Sequence, residues 1–386
     1  DHPATARAAD QIARLHVRAG RTADALAFHQ RARDIRRKSL GQDPLTAASE
    51  YETAFRMGEL GRHLDALKGF QAALRILETG FGASDINTAI ARQGLANCHA
   101  NLGELAEAER LARRSVADIA GLSGHDAVET TRARDGLALI LRKRGRIASA
   151  QTLYEQTLAT RLAATSGPKP QPGFGPADVA RSLLSLADCH SAQGRDADAR
   201  GQLQQALAMF RKNLGEKHRD TATCLNNLGS WYFSQGRHAE ADQFLQQAFE
   251  IRAGVLGKDH PDTAQIHFQL ANNFQAQGEF DDALKLLDLA LVNFRKQLSE
   301  EHADTARVLF AIAETSAAQG DHDRAGPLYR QALAIRTRVV GPDHADTVES
   351  SSGLAFHLYD QGDHEAARDQ WARAAEAFEQ VRLRVA

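Results

Sequence analysis

The sequence predicts an all-α solenoid of nine helical hairpins, and three observations support this. First, a glycine recurs along the whole chain in steps of 41, 42, 42, 49, 42, 42, 42 and 42 residues. These glycines are Gly20, Gly61, Gly103, Gly145, Gly194, Gly236, Gly278, Gly320 and Gly362. Second, an alanine follows each glycine by five residues, and third, a small residue precedes each glycine by seven. Columns that persist over a full chain are typical of repeat proteins, in which each unit packs on its neighbours.

Each unit is predicted to form two antiparallel helices. Apolar and small residues fall at three- and four-residue intervals before the glycine, as at Ala264, Phe268 and Ala271, which gives the first helix one face for burial. The glycine is expected to end that helix in a left-handed conformation. His or Asp, often followed by Pro, is expected to cap the start of the first helix, as at Asp43 and His260.

The repeated unit carries a family resemblance. A Leu-Asn-Asn-Leu-Gly string at residues 225–229 is followed by Tyr232 and the turn glycine, and Phe274 and Tyr154 occupy other aromatic places of the repeat. This pattern resembles the tetratricopeptide repeat. The 42-residue period, closed by Leu-Gly and reopened by His-Pro-Asp-Thr at residues 256–263, is similar to the repeats of kinesin light chains. The resemblance covers residues 1–386 and implies a right-handed superhelical solenoid of nine tetratricopeptide helix-turn-helix repeats.

The regularity is interrupted once, between the fourth and fifth units. We expect repeats one to four over residues 1–164, a Pro/Gly-rich insert over residues 165–176, and repeats five to nine over residues 177–386. The insert is either a loop extruded from a continuous stack or a hinge between two arms. Both interpretations fit the composition.

Composition excludes several classes of function. A net charge of -2 and a pI of about 6.8 provide no general attraction to nucleic acid. No run of about 18 apolar residues is present, so we expect no membrane span and a cytoplasmic location. The chain opens with Asp1-His2-Pro3, which matches the linker between repeats and lacks a methionine. We therefore expect that residues upstream have been left out.

Catalytic and cofactor motifs are absent from the sequence, which predicts a protein that is not an enzyme and holds no cofactor or metal. Cys98, Cys189 and Cys224 have no CxxC spacing and are expected to be buried apolar residues. Three histidines occupy the slot of Tyr232 and are expected to be packed with one hydrogen bond each; they are His16, His99 and His190. A further series recurs once per unit and is expected to cap helices; it comprises His218, His260, His302 and His344.

In the family, the first helices line a concave groove, and the resemblance implies that peptide-binding residues lie at matching places here. They are Arg132, Asp135, Arg142, Arg181, Asp188, Asn226, Asn227, Ser230, Phe233, Gln265, Gln269, Asn272, Arg307 and Glu314. Asn226-Asn227 is similar to the asparagine ladder with which light-chain-like repeats hold a peptide backbone. Leu184 stands in the place of Asn226 one unit earlier, so the ladder is interrupted.

The leading hypothesis is a protein-interaction scaffold that binds an extended peptide along units four to seven. Amides of Asn226, Gln265 and Asn272 would hold the backbone, and acidic residues of the partner would be drawn to Arg132, Arg142 and Arg181. Arg132 and Arg142 belong to a basic cluster around the fourth turn, together with Arg134, Lys143, Arg144 and Arg146, and this cluster could also be a solvated surface. The alternatives are a regulatory repeat domain of a larger peptidase or ATPase, and a structural scaffold that assembles through its stacking ends.

Overall fold

The computed structural model describes residues 2–18, 21–166 and 171–385, with side chains up to residue 379. Every regular element in these ranges is an α-helix, so the predicted all-α solenoid of repeats is confirmed. Eighteen helices form nine consecutive hairpins within the described ranges. Part of the predicted insert, residues 167–170, lies outside the described residues, and whether it acts as a hinge stays a prediction.

The first helices of the hairpins are 16 or 17 residues long. They are α1 (Pro3–Arg18), α3 (Pro44–Glu59), α5 (Ile86–Asn101), α7 (Val128–Lys143), α9 (Pro176–Ala192), α11 (Arg219–Ser234), α13 (Pro261–Ala276), α15 (Ala303–Ala318) and α17 (Ala345–Asp360).

The second helices are slightly longer, at 18 to 22 residues. They are α2 (Thr22–Leu40), α4 (His63–Phe81), α6 (Leu105–Ser123), α8 (Ile147–Ser166), α10 (Asp196–Leu214), α12 (His238–Leu256), α14 (Phe280–Gln297), α16 (His322–Val339) and α18 (His364–Val385). The chain divides into two compact units, one formed by Asp1–Ala108 with Phe274–Ala386 and the other by Glu109–Asn273.

The alanine column sets how closely the two helices of a hairpin approach. All nine alanines that stand five residues after a turn glycine are completely buried; they are Ala25, Ala66, Ala108, Ala150, Ala199, Ala241, Ala283, Ala325 and Ala367. A larger side chain at this place would separate the paired helices, because protein interiors are packed without spare volume.

Local capping explains where the first helices begin. The Nδ1 atom of His218, His260, His302 and His344 accepts a hydrogen bond from the backbone N–H two residues later, at 3.0 to 3.2 Å. The predicted capping role of this histidine series is therefore confirmed. Asp43 and Asp85 perform the same task for α3 and α5 through a carboxylate oxygen, at 2.8 Å.

In six of the described hairpins, a threonine in the first turn fastens the first helix to the backbone at or just after the end of the preceding helix. Thr221 Oγ1 donates to the carbonyl of Gly215 at 2.8 Å, and Thr263 Oγ1 donates to Gly257 at 2.9 Å. The same bond recurs at Thr88, Thr130, Thr305 and Thr347. The sequence shows this threonine in the linker string, but it does not reveal its partner.

In the unit formed by the two ends of the chain, early and late hairpins touch through a histidine clasp. We give this name to His302 with Glu59 and Gly61, and to His344 with Gly103. The Nε2–H of His302 donates to the carbonyl of Glu59 at 3.2 Å, and its ring lies over the turn at Gly61. The ring of His344 lies in the same way over Gly103. These contacts join residues about six repeats apart, counted from the 42-residue period.

The hydrogen bonds of His302 fix its neutral form. Nδ1 accepts from the Asp304 N–H while Nε2–H donates to Glu59, so the two ring nitrogens have opposite roles. Burial lowers the pKa of His302, and the Arg307 charge lowers it further. The Asp304 carboxylate, 3.6 Å from Nδ1, and the Glu59 carbonyl act in the opposite direction.

We expect Gly61→Ala to destabilise the protein more than Gly194→Ala does. Both glycines have a left-handed φ, at 70° and 71°, which costs an L-residue on the order of 1–3 kcal/mol. An added Cβ at Gly61 would also lie 2.7 Å from Cδ2 of His302, whereas Gly194 has open space. The measurement is thermal unfolding by circular dichroism. Equal losses of Tm in the two variants would show that the clasp adds nothing.

We expect stability to fall with acidification partly through His302. Its folded pKa lies below the ordinary value of 6.5, so the unfolded chain binds more protons between these two values. The stabilising contribution is therefore present above pH 6.5 and is lost as the pH falls below it. His302→Asn keeps a capping oxygen but does not titrate.

When the pH is lowered from about 8 to about 5.5, the Tm of His302→Asn should therefore decrease less than the Tm of the wild type. The other histidines with lowered pKa values, His260, His267 and His357, are unchanged in both proteins, so their effects cancel in the comparison. Parallel decreases in the two proteins would contradict the assignment.

Candidate functional site

Twelve of the fourteen predicted peptide-binding residues lie on the first helices α7, α9, α11 and α13, within the unit Glu109–Asn273. We call this set the groove face. It consists of Arg132, Asp135, Arg142, Arg181, Asp188, Asn226, Asn227, Ser230, Phe233, Gln265, Gln269 and Asn272. Eleven of them are at least partly exposed, because the opposite side of each helix carries the apolar residues that pack on neighbours. Asn226 is the buried member of the set.

Two amide side chains of the groove face have oxygens that are buried without a partner. Asn226 on α11 is only 9% exposed, and its Oδ1 accepts no hydrogen bond from the described part of the chain. Gln269 on α13 has a buried Oε1 in the same state. A buried acceptor left unpaired costs about 1–3 kcal/mol. The fold therefore leaves two acceptors of the groove face buried and unpaired.

A third amide in the same region, Asn273, has hydrogen-bond partners within the protein and therefore has a structural role. Asn273 is fully buried; its Oδ1 lies 2.9 Å from Nδ1 of His238, and its Nδ2 donates to the carbonyl of His238 at 3.0 Å. These bonds join α13 to α12. Asn272, its neighbour in sequence, points to the partly exposed side of the helix.

Two of the three predicted anion-binding arginines have carboxylate partners within the protein. Arg142 Nη2 lies 3.7 Å from Oδ2 of Asp188, which is itself a predicted site residue. Arg181 bridges Asp178 at 2.6 Å and Asp220 at 3.0 Å. Arg132 is exposed, and the described residues offer it no ion pair. The positive charge that the sequence suggested is thus largely balanced on the folded face.

The carboxylate of Asp135 is bonded by a buried arginine from a second helix. Arg161 on α8 bonds to the carboxylate of Asp135 at 2.5 Å and to the hydroxyl of Ser182 at 2.5 Å. Burial raises the pKa of Asp135 and Arg161 opposes the rise. Burial likewise raises the pKa of Asp188, against the Arg142 charge. Arg161 was missed by sequence reasoning, although arginine recurs sixteen residues after the turn glycine at Arg36, Arg161, Arg252 and Arg336.

Part of the basic cluster around the fourth turn is structural. Arg144 and Arg146 bond to the carboxylate of Glu109 at 2.9 and 3.1 Å, and Arg113 joins them at 2.8 Å. Glu109 is buried, which acts to raise its pKa, but the hydrogen bonds from the arginines outweigh burial and hold that pKa below the ordinary value. No spacing in the sequence pointed to Glu109 as their partner.

The remaining two predicted residues, Arg307 and Glu314, lie on α15, in the other unit. Arg307 Nη2 bonds to Oδ1 of Asp304 at 2.7 Å. The pKa of Glu314 is raised to about 7, first because the surrounding protein excludes water and then because the Glu349 carboxylate is near. Arg336 opposes this rise.

The three cysteines and two of the three histidines singled out by the sequence are packed as expected. The exception is His16, which is only partly buried: its ring stacks on Phe28 at 5.3 Å, but its Nδ1, 3.5 Å from Asp24, forms no hydrogen bond with the described residues. All three thiols are buried, and burial raises the pKa of Cys98 to about 12, of Cys189 to about 11 and of Cys224 to about 12. A thiol in this state is not a nucleophile at neutral pH. His99 bonds to Glu104, and His190 bonds to Gln202 at 2.9 Å.

Two features are absent from the described part of the chain. No group of three or more His, Cys, Asp or Glu side chains is placed to hold a metal ion. No helix combines the length and the apolar character that crossing a membrane requires.

Family comparison agrees with the repeat geometry. The tetratricopeptide repeat family matches residues 53–118, 94–163, 178–254, 232–292, 262–325 and 304–380, and further versions of the repeat match residues 5–45 and 136–213. The chain belongs to the tetratricopeptide repeat family. The predicted membership of the tetratricopeptide repeat family is therefore confirmed. No curated protein sequence matches this tetratricopeptide protein.

Solved structures with the same fold include two Rap proteins. One is a Rap protein complexed with competence and sporulation factor, with 13% identity and a TM-score of 0.59, over 99% of this chain and 100% of that one. The other is the Rap conjugation gene regulator of plasmid pLS20 in complex with the Phr* peptide, with 12% identity and a TM-score of 0.59, over 98% and 96%. BtubC (BKLC) from P. vanneervenii is 21% identical with a TM-score of 0.50, over 61% and 92%.

We expect Asn226→Leu to raise Tm and Asn273→Leu to lower it. The first change removes an unpaired buried oxygen at a place where Leu184 already fits in the preceding hairpin. The second leaves the ring and carbonyl of His238 without their partner, a loss of about 1–3 kcal/mol. Thermal unfolding of the two variants beside the wild type makes the comparison. A lower Tm for Asn226→Leu would mean that Asn226 serves the fold instead of a ligand.

Proposed function

We propose that this tetratricopeptide repeat protein is a non-catalytic scaffold whose groove face binds an extended segment of another polypeptide. Proteins of this family act in protein interactions, and two structures with the same fold were solved with a bound peptide or factor. The observation that carries the proposal for this chain is the pair of buried amide oxygens without partners, on Asn226 and Gln269.

The chemistry of these residues suits a peptide backbone. An extended segment presents N–H and C=O groups in alternation, and an Asn or Gln side chain offers both a donor and an acceptor. Asn226 and Gln269 lie on successive first helices, with Asn227, Gln265 and Asn272 on the same two helices. A peptide N–H that reached the oxygen of Asn226 would satisfy an acceptor that the protein leaves buried.

The charges of the groove face refine the proposed partner. Arg142 and Arg181 already contact carboxylates of the protein, so an acidic partner would have to compete with Asp188, Asp178 and Asp220. Arg132 is exposed and is therefore the residue best placed to attract an acidic side chain. We infer that backbone contacts contribute more than charge and that binding depends only modestly on salt.

The experiment begins with selection of twelve-residue peptides from a phage-displayed library on the wild-type protein. A selected peptide is labelled with fluorescein, and its Kd is measured by fluorescence anisotropy against the triple variant Asn226→Ala, Gln269→Ala, Asn272→Ala. We expect binding at least about tenfold weaker, because each lost hydrogen bond contributes about 0.5–1.5 kcal/mol.

The matched control removes three exposed amides on second helices, Gln204, Asn213 and Gln247, and should bind within about twofold of the wild type. If the groove variant binds the peptide as tightly as the wild type does, the groove face is not the binding surface.

A further inference from the structure

A concave feature lies between α3 and α5, in the unit formed by the chain ends. It is a pocket of about 270 Å³ that we call the α3–α5 pocket; Leu45, Ala48 and Tyr51 line one wall, Asn87 and Ile90 line the other, and Leu77 of α4 forms part of its base. This volume is below the roughly 300–1,000 Å³ of small-molecule sites. It is large enough for one aliphatic or aromatic side chain.

The pocket exists because hairpin two departs from the repeat at two places. Five other first helices carry aspartate where α3 carries Leu45; these are Asp178, Asp220, Asp262, Asp304 and Asp346. Long polar residues such as Arg132, Arg181 and Gln265 occupy the place that Ala48 holds in α3. The substitution of an acid by leucine and of a long side chain by alanine opens an apolar recess between the helices.

The apolar lining is exposed to an extent that packing does not explain. Leu45 is 56% exposed and Ile90 is 38% exposed, and Phe55, about three turns after Leu45 along α3, is 40% exposed. An apolar patch rimmed by polar residues usually marks an interaction surface. The base is firm, because Ala47, Leu77 and Ala91 form a buried cluster and the ring of Tyr51 packs edge-on against Phe70 at 5.3 Å.

The charges around the mouth are mainly acidic. Asp43 and Asp85 cap α3 and α5 immediately beside the pocket residues Leu45 and Asn87. Glu52 also lines the pocket, and its carboxylate is 3.9 Å from Arg56, which bonds more closely to Glu59 at 2.5 Å. Three carboxylates therefore belong to the pocket residues or stand two residues before them in sequence, and the nearby Arg56 is already paired with Glu59, so positive charge on a partner would be attracted.

We propose that the α3–α5 pocket binds a leucine- or phenylalanine-sized side chain of a partner peptide that carries lysine or arginine next to it. The apolar side chain would be buried among Leu45, Tyr51 and Ile90, which supplies most of the affinity. The basic neighbours would lie near Glu52, Asp43 and Asp85. This surface differs from the groove face in position and in charge, and the proposal does not depend on the groove face binding anything.

The test uses fluorescein-labelled nonapeptides with a central leucine or phenylalanine and lysines on both sides. Two matched sets replace the central residue by alanine or the lysines by glutamates. We expect anisotropy to show binding at least about tenfold tighter for the basic, apolar-centred peptides than for either matched set. Equal binding of the glutamate set, or no binding of any peptide, would overturn the proposal.

Variants then locate the site. Ala48→Arg introduces the side chain that α7 carries at this place and should weaken binding at least about tenfold, while Gln71→Arg, an exposed change of equal charge on α4, should leave it within about twofold. If Ala48→Arg loses helicity, Leu45→Asp replaces it, since aspartate is native at this place in other hairpins. It should abolish the preference for leucine over alanine at the peptide centre.

The remaining outcomes are also decisive. If wild-type protein shows a concentration-dependent mass in sedimentation that Ala48→Arg removes, the pocket is an interface between copies of this chain, and the peptide assignment is wrong. The triple variant of the groove face should bind the basic nonapeptides as the wild type does. A failure of the pocket proposal can therefore be distinguished from a failure of the groove-face proposal, because each is tested with its own protein variant and its own peptides.

Discussion

The close approach of the two helices in each hairpin is the constraint on which the rest of the structure depends. It requires a residue no larger than alanine five places after the turn glycine, and all nine such alanines have no exposed surface. A hairpin cannot bury its apolar face alone, so each one relies on its neighbours for cover. An error in spacing within one hairpin would therefore be passed to the next.

That constraint acts on the buried side of the first helices and leaves the other side free to vary. On the exposed side of the first helices, the position thirteen residues before the turn glycine holds Arg132 in α7 and Arg181 in α9, but Ala48 in α3. One backbone thus carries a polar, amide-rich surface in one unit and an apolar pocket with an acidic mouth in the other. The difference lies in side chains that contribute little to packing, which is why one fold can present two kinds of surface.

Burial also changes what the charged residues can do. Buried Glu109 is bonded by three arginines, and buried Arg161 is bonded to Asp135. A charge removed from water needs a partner, so the fold selects pairs that neutralise one another. As a result, the basic cluster visible in the sequence contributes less free positive charge to the groove face than its composition suggests.

The sequence by itself determined the hairpins, their period, the glycine turns and the histidine caps, because these depend on contacts within a few residues along the chain. Through the family resemblance it also assigned the predicted peptide-binding residues to first helices, where the structure has them, but their role in binding stays a prediction. It could not separate Asn226, whose oxygen has no partner, from Asn273, which bonds to His238 thirty-five residues away. Nor could it reveal that His302 meets Glu59 across 243 residues, or that Leu45 opens a pocket. Only the tertiary structure decided these features, because they arise where residues distant in sequence come into contact. The periodicity of the sequence reports which face of a helix is buried, but not which distant residue packs against it.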